Sequence, residues 1–503
     1  MALSHPTPAA DVIVIGGGLA GLTCAYALAK RGLAPLVLEE RGKAGGLVAG
    51  IARDDVAFDI GAESYVSTAE DITDLVRELG LDVVEPQGSS WVYGHEGGGR
   101  ATRIPHGMLG IPASLDDEAV VAALSPRDLE RARLDLTMGP QVGSDCDDLA
   151  SFVTARYGTG VLDAIVAPVA GGIHSADPSA LAVDTVCRGL RAALAEHGSA
   201  TAAVAALRGT RPSRPAVIAP DGGLFRLPQA LTEQICAAGG RVATRVRALG
   251  VSHASGGGWF VTACQTHPHP DPSQPPYSEG LPAQLYTPRV VIATPAQPGL
   301  DLLSMLSGVD VRGWRITPGG PIAHVTLIVD HPALDEGPRG SGMLVRRPTP
   351  AEIEAGCVRA KALTHYSYKW PWVRRDHPNR HVIRVSYGRA GEPEVDVTVE
   401  RGLEEASRLL GIDLTPDHLI DGYVVRWDGA LPPLGPEHWA RVEDLHETLA
   451  HSEPTLKVCG AWAAGSGLSA VIPQALSSGA ALASAGPTPQ GGSVTTIFAQ
   501  EER

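Results

Sequence analysis

Asp11-Val12-Ile13-Val14-Ile15-Gly16-Gly17-Gly18-Leu19-Ala20-Gly21 is a β-branched run that leads into a Gly-x-Gly-x-x-Gly turn. The residues that follow, Leu22 to Lys30, have the composition of a helix. A strand, a glycine turn and a helix in this order are typical of the first unit of a dinucleotide-binding fold. In such a turn Gly16 allows the tight bend, Gly18 lets the backbone approach a diphosphate, and Gly21 lets the helix pack against the strand.

A second predicted strand, Ala34 to Leu38, is followed by Glu39, about 20 residues after the glycine turn. An acidic residue at this place accepts hydrogen bonds from ribose hydroxyls. The helix that follows the glycine turn carries about half a positive charge at its amino end, together with unpaired N–H groups. These features predict a bound dinucleotide without identifying it.

Length and charge set the broad class of the protein. The chain has 503 residues, so we expect two or three domains rather than a single core. Apolar residues make up 44% of it, which is enough for large buried cores. The formal net charge is −15. Because nucleic-acid backbones are bound mainly by clustered Lys and Arg, this charge argues against a nucleic-acid partner.

The cysteines indicate a reducing compartment, because they are odd in number and contain no C-x-x-C pair: Cys24, Cys146, Cys187, Cys236, Cys264, Cys357 and Cys459. His267-Pro268-His269 lies in a Pro-rich loop without a nearby cysteine, so we expect no metal site. Met1 to Ala10 lack the basic and apolar regions of a signal peptide. No apolar run reaches the roughly 18 residues of a membrane span. We therefore expect a cytoplasmic protein with at most peripheral membrane contact.

The order of predicted elements indicates a nucleotide-binding domain that is interrupted twice. Val290 to Pro295 has the pattern of a buried parallel strand, so we expect it to re-enter the first sheet. Within the first interruption, Gly171 and Gly172 lie between apolar stretches and predict a loop at Pro168 to Pro178. The predicted domains are a nucleotide-binding domain at 1–88, 212–298 and 426–503, a mostly helical insert at 89–211, and a substrate-binding domain at 299–425.

Two segments after Glu39 extend the pattern, namely Glu40-Arg41-Gly42-Lys43-Ala44-Gly45-Gly46 and Phe58-Asp59-Ile60-Gly61-Ala62-Glu63-Ser64. With the glycine turn, they resemble the FAD-dependent amine-oxidase-like superfamily. The resemblance implies an α/β fold with a Rossmann-like FAD-binding domain of the amine-oxidase-like (GR2) type, a mixed-sheet substrate domain and a helical insert. Lys43 stands where that superfamily usually has Arg, so the charge is kept but the guanidinium fork is lost.

Further stretches are similar to the protoporphyrinogen/coproporphyrinogen oxidase family, and most of all to the coproporphyrinogen III oxidases of Gram-positive bacteria. They occur in family order over almost the whole chain: Ile104–Gly107, Gly171–Ala182, Gly222–Leu231, Val290–Pro295, Gly342–Val345 and Gly460–Ile472. An ordered set of this kind is far more specific than a glycine turn alone.

The resemblance implies a set of FAD-binding residues that runs from the pyrophosphate and ribose to the adenine and the flavin ring: Gly16, Gly18, Leu19, Ala20, Gly21, Glu39, Glu40, Lys43, Gly45, Gly46, Gly61, Ala62, Glu63, Ser64, Val246, Trp462, Gly467, Leu468, Ser469 and Val471. Gly172 matches the family glycine that lies close to the flavin and the substrate, and is the candidate catalytic residue. His174 replaces a Tyr or Phe that relatives often carry, so the shape of the pocket differs.

The chain also departs from relatives where they hold the substrate's propionates. Ser90 stands where some relatives have an Arg, and Ser67 to Glu70 contain none of the basic residues that bacterial relatives often place after Val66. Anchoring must then come from other cations. The candidates are Arg103, Arg346, Arg347, Lys361, Lys369, Arg374 and Arg375.

The implied activity is the oxygen-dependent, six-electron oxidation of coproporphyrinogen III to coproporphyrin III in haem biosynthesis, with FAD as cofactor and hydrogen peroxide as by-product. Protoporphyrinogen IX is the alternative substrate, but the absence of a strongly apolar membrane-binding patch favours coproporphyrinogen. An amine oxidase, a carotenoid desaturase or a non-catalytic FAD-binding protein on the same scaffold are further alternatives. The expected partners are the substrate and molecular oxygen, with the next haem-pathway enzyme a candidate for transient contact.

One aromatic segment, His365 to Trp372, is compatible with either a tetrapyrrole pocket or the packing of a sheet. Aromatic residues that alternate along a strand usually pack against their neighbours in the sheet. We therefore predict a strand with a packing role.

Overall fold

The computed structural model describes residues 7–53, 56–95, 98–174, 176–209, 216–270, 274–389, 392, 395–427, 429, 432 and 434–485. The side chain of His174 and residues 486–503 of the predicted nucleotide-binding domain lie outside this description.

The first part of the chain alternates strands and helices: β1 (Val12–Ile15), α1 (Leu19–Ala29), β2 (Pro35–Glu39), β3 (Gly50–Arg53), β4 (Val56–Asp59), β5 (Tyr65–Val66), α2 (Glu70–Glu78) and β6 (Val83–Val84). The next part has four short strands and then helices: β7 (Ser90–Gly94), β8 (Arg100–Arg103), β9 (Gly107–Met108), β10 (Ile111–Pro112), α3 (Glu118–Ala123), α4 (Pro126–Arg133), α5 (Leu149–Tyr157), α6 (Thr159–Val161), α7 (Ala167–His174), α8 (Val183–Val186), α9 (Leu190–His197) and α10 (Ala200–Gly209).

Strands then predominate up to the start of the substrate region: β11 (Val217–Pro220), α11 (Arg226–Ala237), β12 (Arg241–Thr244), β13 (Val246–His253), β14 (Trp259–His267), β15 (Tyr277–Thr287), β16 (Val290–Ile292) and α12 (Ala296–Leu303). The remainder contains β17 (Ala323–Val329), β18 (Gly342–Val345), α13 (Pro350–Glu354), β19 (Ala362–His365), α14 (Tyr366–Lys369), α15 (Pro371–Asp376), β20 (His381–Tyr387), α16 (Val399–Leu410), β21 (Leu419–Arg426), α17 (Pro436–Ser452), β22 (Leu456–Val458), α18 (Ala461–Ala464) and α19 (Leu468–Ala483).

A five-stranded parallel sheet in the order β12-β2-β1-β16-β22 forms the centre of the nucleotide-binding unit. Ile13 of β1 pairs with Val290 of β16, which confirms that the later strand re-enters the first sheet. All four residues of β1 are buried, because Val12 and Val14 pack in one core with α1 while the two isoleucines pack in a second core on the opposite face. A parallel sheet covered on both faces is the α/β architecture that the sequence predicted.

The second large sheet, called the substrate sheet because most of its strands come from the region expected to bind the substrate, has the order β21-β17-β20-β19-β18-β7-β8. It has one parallel pair, β18 and β7, among antiparallel ones. Its last two strands come from the region expected to be a helical insert. At the other boundary, Leu306, Val309 and Trp314 pack in the same core as Ile13, although residues after 299 were expected in the substrate domain. Both differences arise because pairing and burial with distant residues, which local sequence does not show, set these boundaries.

The aromatic segment is not the predicted strand. β19 ends at His365, and Tyr366 and Pro371 begin the short helices α14 and α15. The rings of Trp370 and Trp372 stack with centroids 5.1 Å apart, in a buried cluster that also contains Phe58. Pro371 is the first residue of α15, and because proline has no N–H to donate it does not continue a strand. The aromatic side chains pack where the two large units meet.

Candidate functional site

The glycine turn after β1 is closely packed at two positions and open at the third. A Cβ atom at Gly21 would lie 2.0 Å from the carbonyl oxygen of Gly16, and one at Gly16 would lie 2.5 Å from that of Ala293. Gly16 also has φ of +105°, which a side chain disfavours. At Gly18, by contrast, nothing lies within 4 Å of the Cβ position. The backbone of Gly18 is therefore accessible to a ligand.

The helix that follows presents its amino end without a capping side chain. Gly18 is the N-cap of α1, and the first turn, which includes Leu19 and Ala20, contains no acidic residue. The first N–H groups of a helix have no intrahelical acceptor, and the helix dipole adds positive charge at that end. This arrangement suits a diphosphate, as the sequence predicted.

Glu39, the last residue of β2, is tied to the glycine turn. Its two carboxylate oxygens accept the backbone N–H groups of Gly17 at 2.9 Å and Arg41 at 2.8 Å. Burial raises the pKa of Glu39, and the two backbone donors act in the opposite direction. Because each carboxylate oxygen has a second lone pair, Glu39 keeps capacity for a ribose hydroxyl.

The other residues predicted near the ribose and adenine have different surroundings. Glu40 accepts a hydrogen bond from Arg247 Nε at 2.9 Å, so its carboxylate is engaged within the protein. Lys43 is exposed. Val246 is only 3% exposed, packs in the second core, and follows the β12 strand that pairs with Glu39. A contact of Val246 with the adenine would therefore be made by its backbone.

Backbone hydrogen bonds connect the glycine turn, through the segment Gly45–Leu47, to the second predicted cofactor loop, Gly61–Ser64. The N–H of Gly45 donates to the carbonyl of Gly17 at 2.8 Å, and that of Ala62 donates to Leu47 at 3.0 Å. A Cβ atom at Gly61 would lie 2.0 Å from the Leu47 carbonyl oxygen. Only glycine allows this close contact between the two segments. Gly46 lies close to the glycine turn, because a Cβ atom at Gly46 would lie 3.2 Å from the Cα of Gly18.

The carboxylate of Glu63 forms a buried ionic cluster, although the residue was predicted to bind the cofactor. Glu63 pairs with Lys369 Nζ at 2.6 Å and with Arg384. Burial alone would raise the pKa of Glu63, but the two cations outweigh it and lower the pKa to about 2. The neighbouring Ser64 is partly buried. A cofactor contact in this loop would therefore come from the backbone or from Ser64.

A second uncapped helix start lies near the carboxyl end of the chain. Gly467, with φ of +98°, is the N-cap of α19, and the exposed Ser469 is in its first turn beside Leu468. Val471 is buried in the same core as α1. A Cβ atom at Gly479 would lie 2.7 Å from the carbonyl oxygen of Cys24 in α1, so the two helices are in close contact.

Trp462, which was predicted to lie along the flavin, is a buried core residue. Its indole N–H donates to the carbonyl of Thr294 at 3.1 Å, and its ring meets that of Trp314 edge to face at 6.1 Å. His438 Nε2 lies 2.6 Å from the Trp462 carbonyl oxygen. These contacts fix the segment that precedes Gly467.

Gly172 does not lie in the predicted loop. Both Gly171 and Gly172 are in helix α7, which continues a π-helical segment, Leu162–Val166. A Cβ atom at Gly172 would lie 2.5 Å from Cδ2 of Leu344 in β18. Packing against the substrate sheet stabilises helix here in spite of the low helix propensity of glycine. Gly172 is thus placed against the substrate sheet.

Comparison with known proteins identifies the family. A family model described as flavin containing amine oxidoreductase matches residues 19–485. The chain belongs to this family. It is an FAD-dependent oxidoreductase, and the open backbone at Gly18, the uncapped start of α1 and the carboxylate of Glu39 fit the pyrophosphate and ribose of FAD.

Individual relatives of this flavin-containing amine oxidoreductase align over nearly its whole length. It is 23% identical over 465 residues to a coproporphyrinogen III oxidase of Staphylococcus aureus strain NCTC 8325, covering 90% of this chain and 94% of the relative. It is 23% identical over 491 residues to that of Bacillus subtilis strain 168, covering 92% and 96%. A crystal structure from Exiguobacterium sp. 255-15, described provisionally as a protoporphyrinogen oxidase, has a TM-score of 0.74, 22% identity, and coverage of 95% and 99%.

Five of the seven cations predicted to bind propionates are paired with carboxylates of the protein. The pairs are Arg346 with Glu352, Arg347 with Glu392, Lys369 with Glu63, Arg374 with Asp335 and Arg375 with Asp221. Arg103 lies over the ring of Trp91, 5.6 Å from its centroid. Lys361 is partly buried, and burial together with Arg389 lowers the pKa of its ammonium. Within the described part of the chain neither Arg103 nor Lys361 has a carboxylate partner.

The sequence prediction missed two residues of the flavoenzyme's substrate sheet. Arg384 and His324 are on neighbouring strands, β20 and β17, and share a face of the sheet with Leu344. His324 Nδ1 lies 2.9 Å from Ser386 Oγ, and burial followed by Arg384 lowers the His324 pKa to about 3. The signal for Arg384 was present, because it is the one arginine in an otherwise apolar or neutral run from Val382 to Tyr387.

No helix in the described residues is both long and apolar enough to cross a membrane. The same residues contain no group of three or more His, Cys, Asp or Glu that could hold a metal ion.

Proposed function

We propose that this FAD-dependent oxidoreductase oxidises coproporphyrinogen III to coproporphyrin III, with molecular oxygen as the electron acceptor. Six electrons and six protons leave the substrate, and three oxygen molecules take them up as three hydrogen peroxide molecules. The observation that carries the proposal is that the likeness to two coproporphyrinogen III oxidases extends over 90% of this chain or more. It therefore includes the substrate domain as well as the cofactor domain.

The cations of the substrate sheet support an anionic substrate. FAD supplies the electron acceptance when bound, and the protein binds and orients the substrate and keeps water out. Lys361 is a partly buried ammonium that has no carboxylate partner in the described part of the chain, which is a costly state unless a ligand supplies the negative charge. Arg103, an exposed residue at the sheet edge whose guanidinium lies over the Trp91 ring, is the second cation that lacks a carboxylate partner among the described residues. We propose that these two residues contact propionates of the substrate.

The same charges argue against an amine substrate. An ammonium ligand near Arg384 and Lys361 would meet like charge, which raises the cost of binding it. The buried carboxylate that contacts Arg384 is Glu63 of the Gly61–Ser64 loop, and it already pairs with two cations. Protoporphyrinogen IX, with two propionates instead of four, remains the second candidate substrate, since one pair of cations suits either.

The test is aerobic turnover by the FAD-loaded protein with coproporphyrinogen III, protoporphyrinogen IX and putrescine, each supplied separately. We expect porphyrin fluorescence and about three peroxide molecules per porphyrin with coproporphyrinogen, slower turnover with protoporphyrinogen, and no peroxide with the amine. Peroxide from putrescine without porphyrin formation would overturn the proposal. Flavin that no porphyrinogen reduces under anaerobic mixing would point to a non-catalytic FAD-binding protein.

A further inference from the structure

The loop Gly61–Ser64 is bound from the substrate domain by one guanidinium group. Arg384 Nη1 donates to the carbonyl of Gly61 at 3.0 Å, while Nη2 pairs with the carboxylate of Glu63. Lys369 Nζ meets the other carboxylate oxygen at 2.6 Å. The side chains of Glu63, Arg384 and Lys369 are 9%, 10% and 19% exposed, so water screens these charges only weakly.

The cluster carries one positive charge in excess. Arg384 and Lys369 are cations, and the Glu63 pKa is lowered to about 2, so it is an anion at neutral pH. His324, on the neighbouring strand β17, stays neutral because burial and Arg384 lower its pKa to about 3. The Nε–H of Arg384 is buried and has no hydrogen-bond partner among the described residues.

Two other contacts hold the residues directly before this loop, so its position does not depend on Arg384 alone. The hydroxyl of Tyr366 donates to Asp59 Oδ2 at 2.8 Å. The indole N–H of Trp427 donates to the carbonyl of Ile60 at 3.1 Å. Tyr366, Lys369 and Arg384 come from the substrate domain, and Trp427 directly follows β21, so this part of the chain fixes both the geometry and the charge of the loop.

We propose that Arg384 is a positioning residue for the Gly61–Ser64 loop and that the excess positive charge of the Arg384, Lys369 and Glu63 cluster raises the reduction potential of the bound FAD. This inference rests on the proposed site, in which that loop lines the cofactor. Reduction adds electrons to the flavin, and a fixed positive charge in a poorly screened place stabilises the reduced form.

The test is the midpoint potential of the bound FAD, measured by dye-coupled reductive titration without porphyrinogen. Arg384→Gln makes the cluster neutral, so we expect a lower potential; Glu63→Gln adds a positive charge, so we expect a higher one. Arg384→Lys keeps the charge and is expected to stay near the wild type. A merely structural role predicts shifts of the same sign, or none, for both glutamine variants, and either result overturns the proposal.

Lys369→Met provides a second measurement with the same change in charge as Arg384→Gln. It leaves the bond from Arg384 to Gly61 in place, so we expect a lower potential even if Arg384→Gln fails to fold. An unchanged potential in Lys369→Met contradicts the electrostatic part of the proposal. No porphyrinogen is used in this measurement. A failure of the electrostatic proposal can therefore be distinguished from a failure of the proposed function, which is tested by turnover.

Discussion

The hydroxyl of Tyr366 donates to the carboxylate of Asp59 at 2.8 Å, across the boundary between the substrate sheet region and the nucleotide-binding unit. Asp59 also accepts the backbone N–H groups of Leu224 and Phe225 at 3.0 and 2.8 Å. Burial raises the Asp59 pKa to about 7, although all three donors act to lower it. One buried carboxyl group thus joins three separate parts of the chain.

Gly18→Ala and Gly21→Ala are expected to separate cofactor binding from folding. The Cβ position of Gly18 is open and its backbone is extended, so alanine there should leave the melting temperature nearly unchanged while it weakens FAD binding. Alanine at Gly21 would clash with the Gly16 carbonyl oxygen and should impair folding as well as binding. Thermal melts of the apoproteins with FAD titrations measure both; equal destabilisation by the two variants would contradict the placement of the turn.

Glu39→Ala should weaken FAD binding far more than Glu40→Ala does. Glu39 holds the glycine turn and is placed for the ribose, and a hydrogen bond to a charged group contributes about 1.5–3 kcal/mol, which is roughly a 10- to 150-fold change in affinity. Glu40 is engaged with Arg247, and we expect less than a threefold effect. Quenching of FAD fluorescence on titration of the apoprotein gives the dissociation constants. Similar losses of FAD affinity in both variants would show that Glu39 does not bind the ribose.

Lys361→Met should raise the KM for coproporphyrinogen III by about tenfold, since it removes one charged contact with a propionate while retaining the volume of the side chain. The matched control is Arg375→Gln, because Arg375 is more exposed and pairs with Asp221 at 3.2 Å. We expect the control to change KM by less than twofold. The KM values are measured from initial rates of porphyrin fluorescence. A larger change of KM in the control than in Lys361→Met would show that Lys361 does not contact the substrate.

The ionic cluster predicts a pH dependence of stability. The Glu63 pKa lies below its unfolded value, so its contribution is complete above about pH 4.5 and is lost as the pH falls toward 2. At pH 7 Glu63→Gln leaves two buried cations unpaired and should cost about 3–5 kcal/mol. Urea unfolding of both proteins should show this difference shrinking by about 2 kcal/mol between pH 5 and pH 3. A difference that is constant with pH would show that Glu63 is not ionised in the folded protein.

Gly172→Ala tests whether α7 shapes the substrate pocket. The new methyl group would press on the end of the Leu344 side chain, which can move, so we expect a loss of stability of only about 1 kcal/mol. Displacing Leu344 should nevertheless lower kcat/KM. The double variant Gly172→Ala, Leu344→Ala makes room for the methyl group and should recover part of the activity, whereas no recovery would mean that Gly172 acts other than through this contact.

The nucleotide-binding unit could be predicted from the sequence because its signals are local. The β-branched run before Gly16, the glycine spacing and Glu39 each occur within a few residues, and the pattern at Val290 is that of a buried parallel strand. The structure confirms both strands in one sheet.

The remaining features depend on contacts between distant residues. Glu63 and Arg384 are separated by 321 positions, so their pairing leaves no local pattern. Gly172 has a low helix propensity, and packing against Leu344 overrides that preference. Ser90–Gly94 joins the substrate sheet through a parallel pairing with β18, which no periodicity in either strand reveals.

The order in which the elements of the nucleotide-binding unit are synthesised determines when this unit can complete its folding. The outer strand of its sheet, Leu456–Val458, and the helix that begins at Leu468 are among the last described elements to be synthesised, yet that helix packs directly on the first one, Leu19–Ala29. A nascent chain shorter than about 470 residues therefore exposes the apolar side of its first helix, however long its amino-terminal part has had to fold. The two helices can pack together only after the later one has been synthesised, and we expect a chain that lacks it to be a substrate for chaperones and proteases.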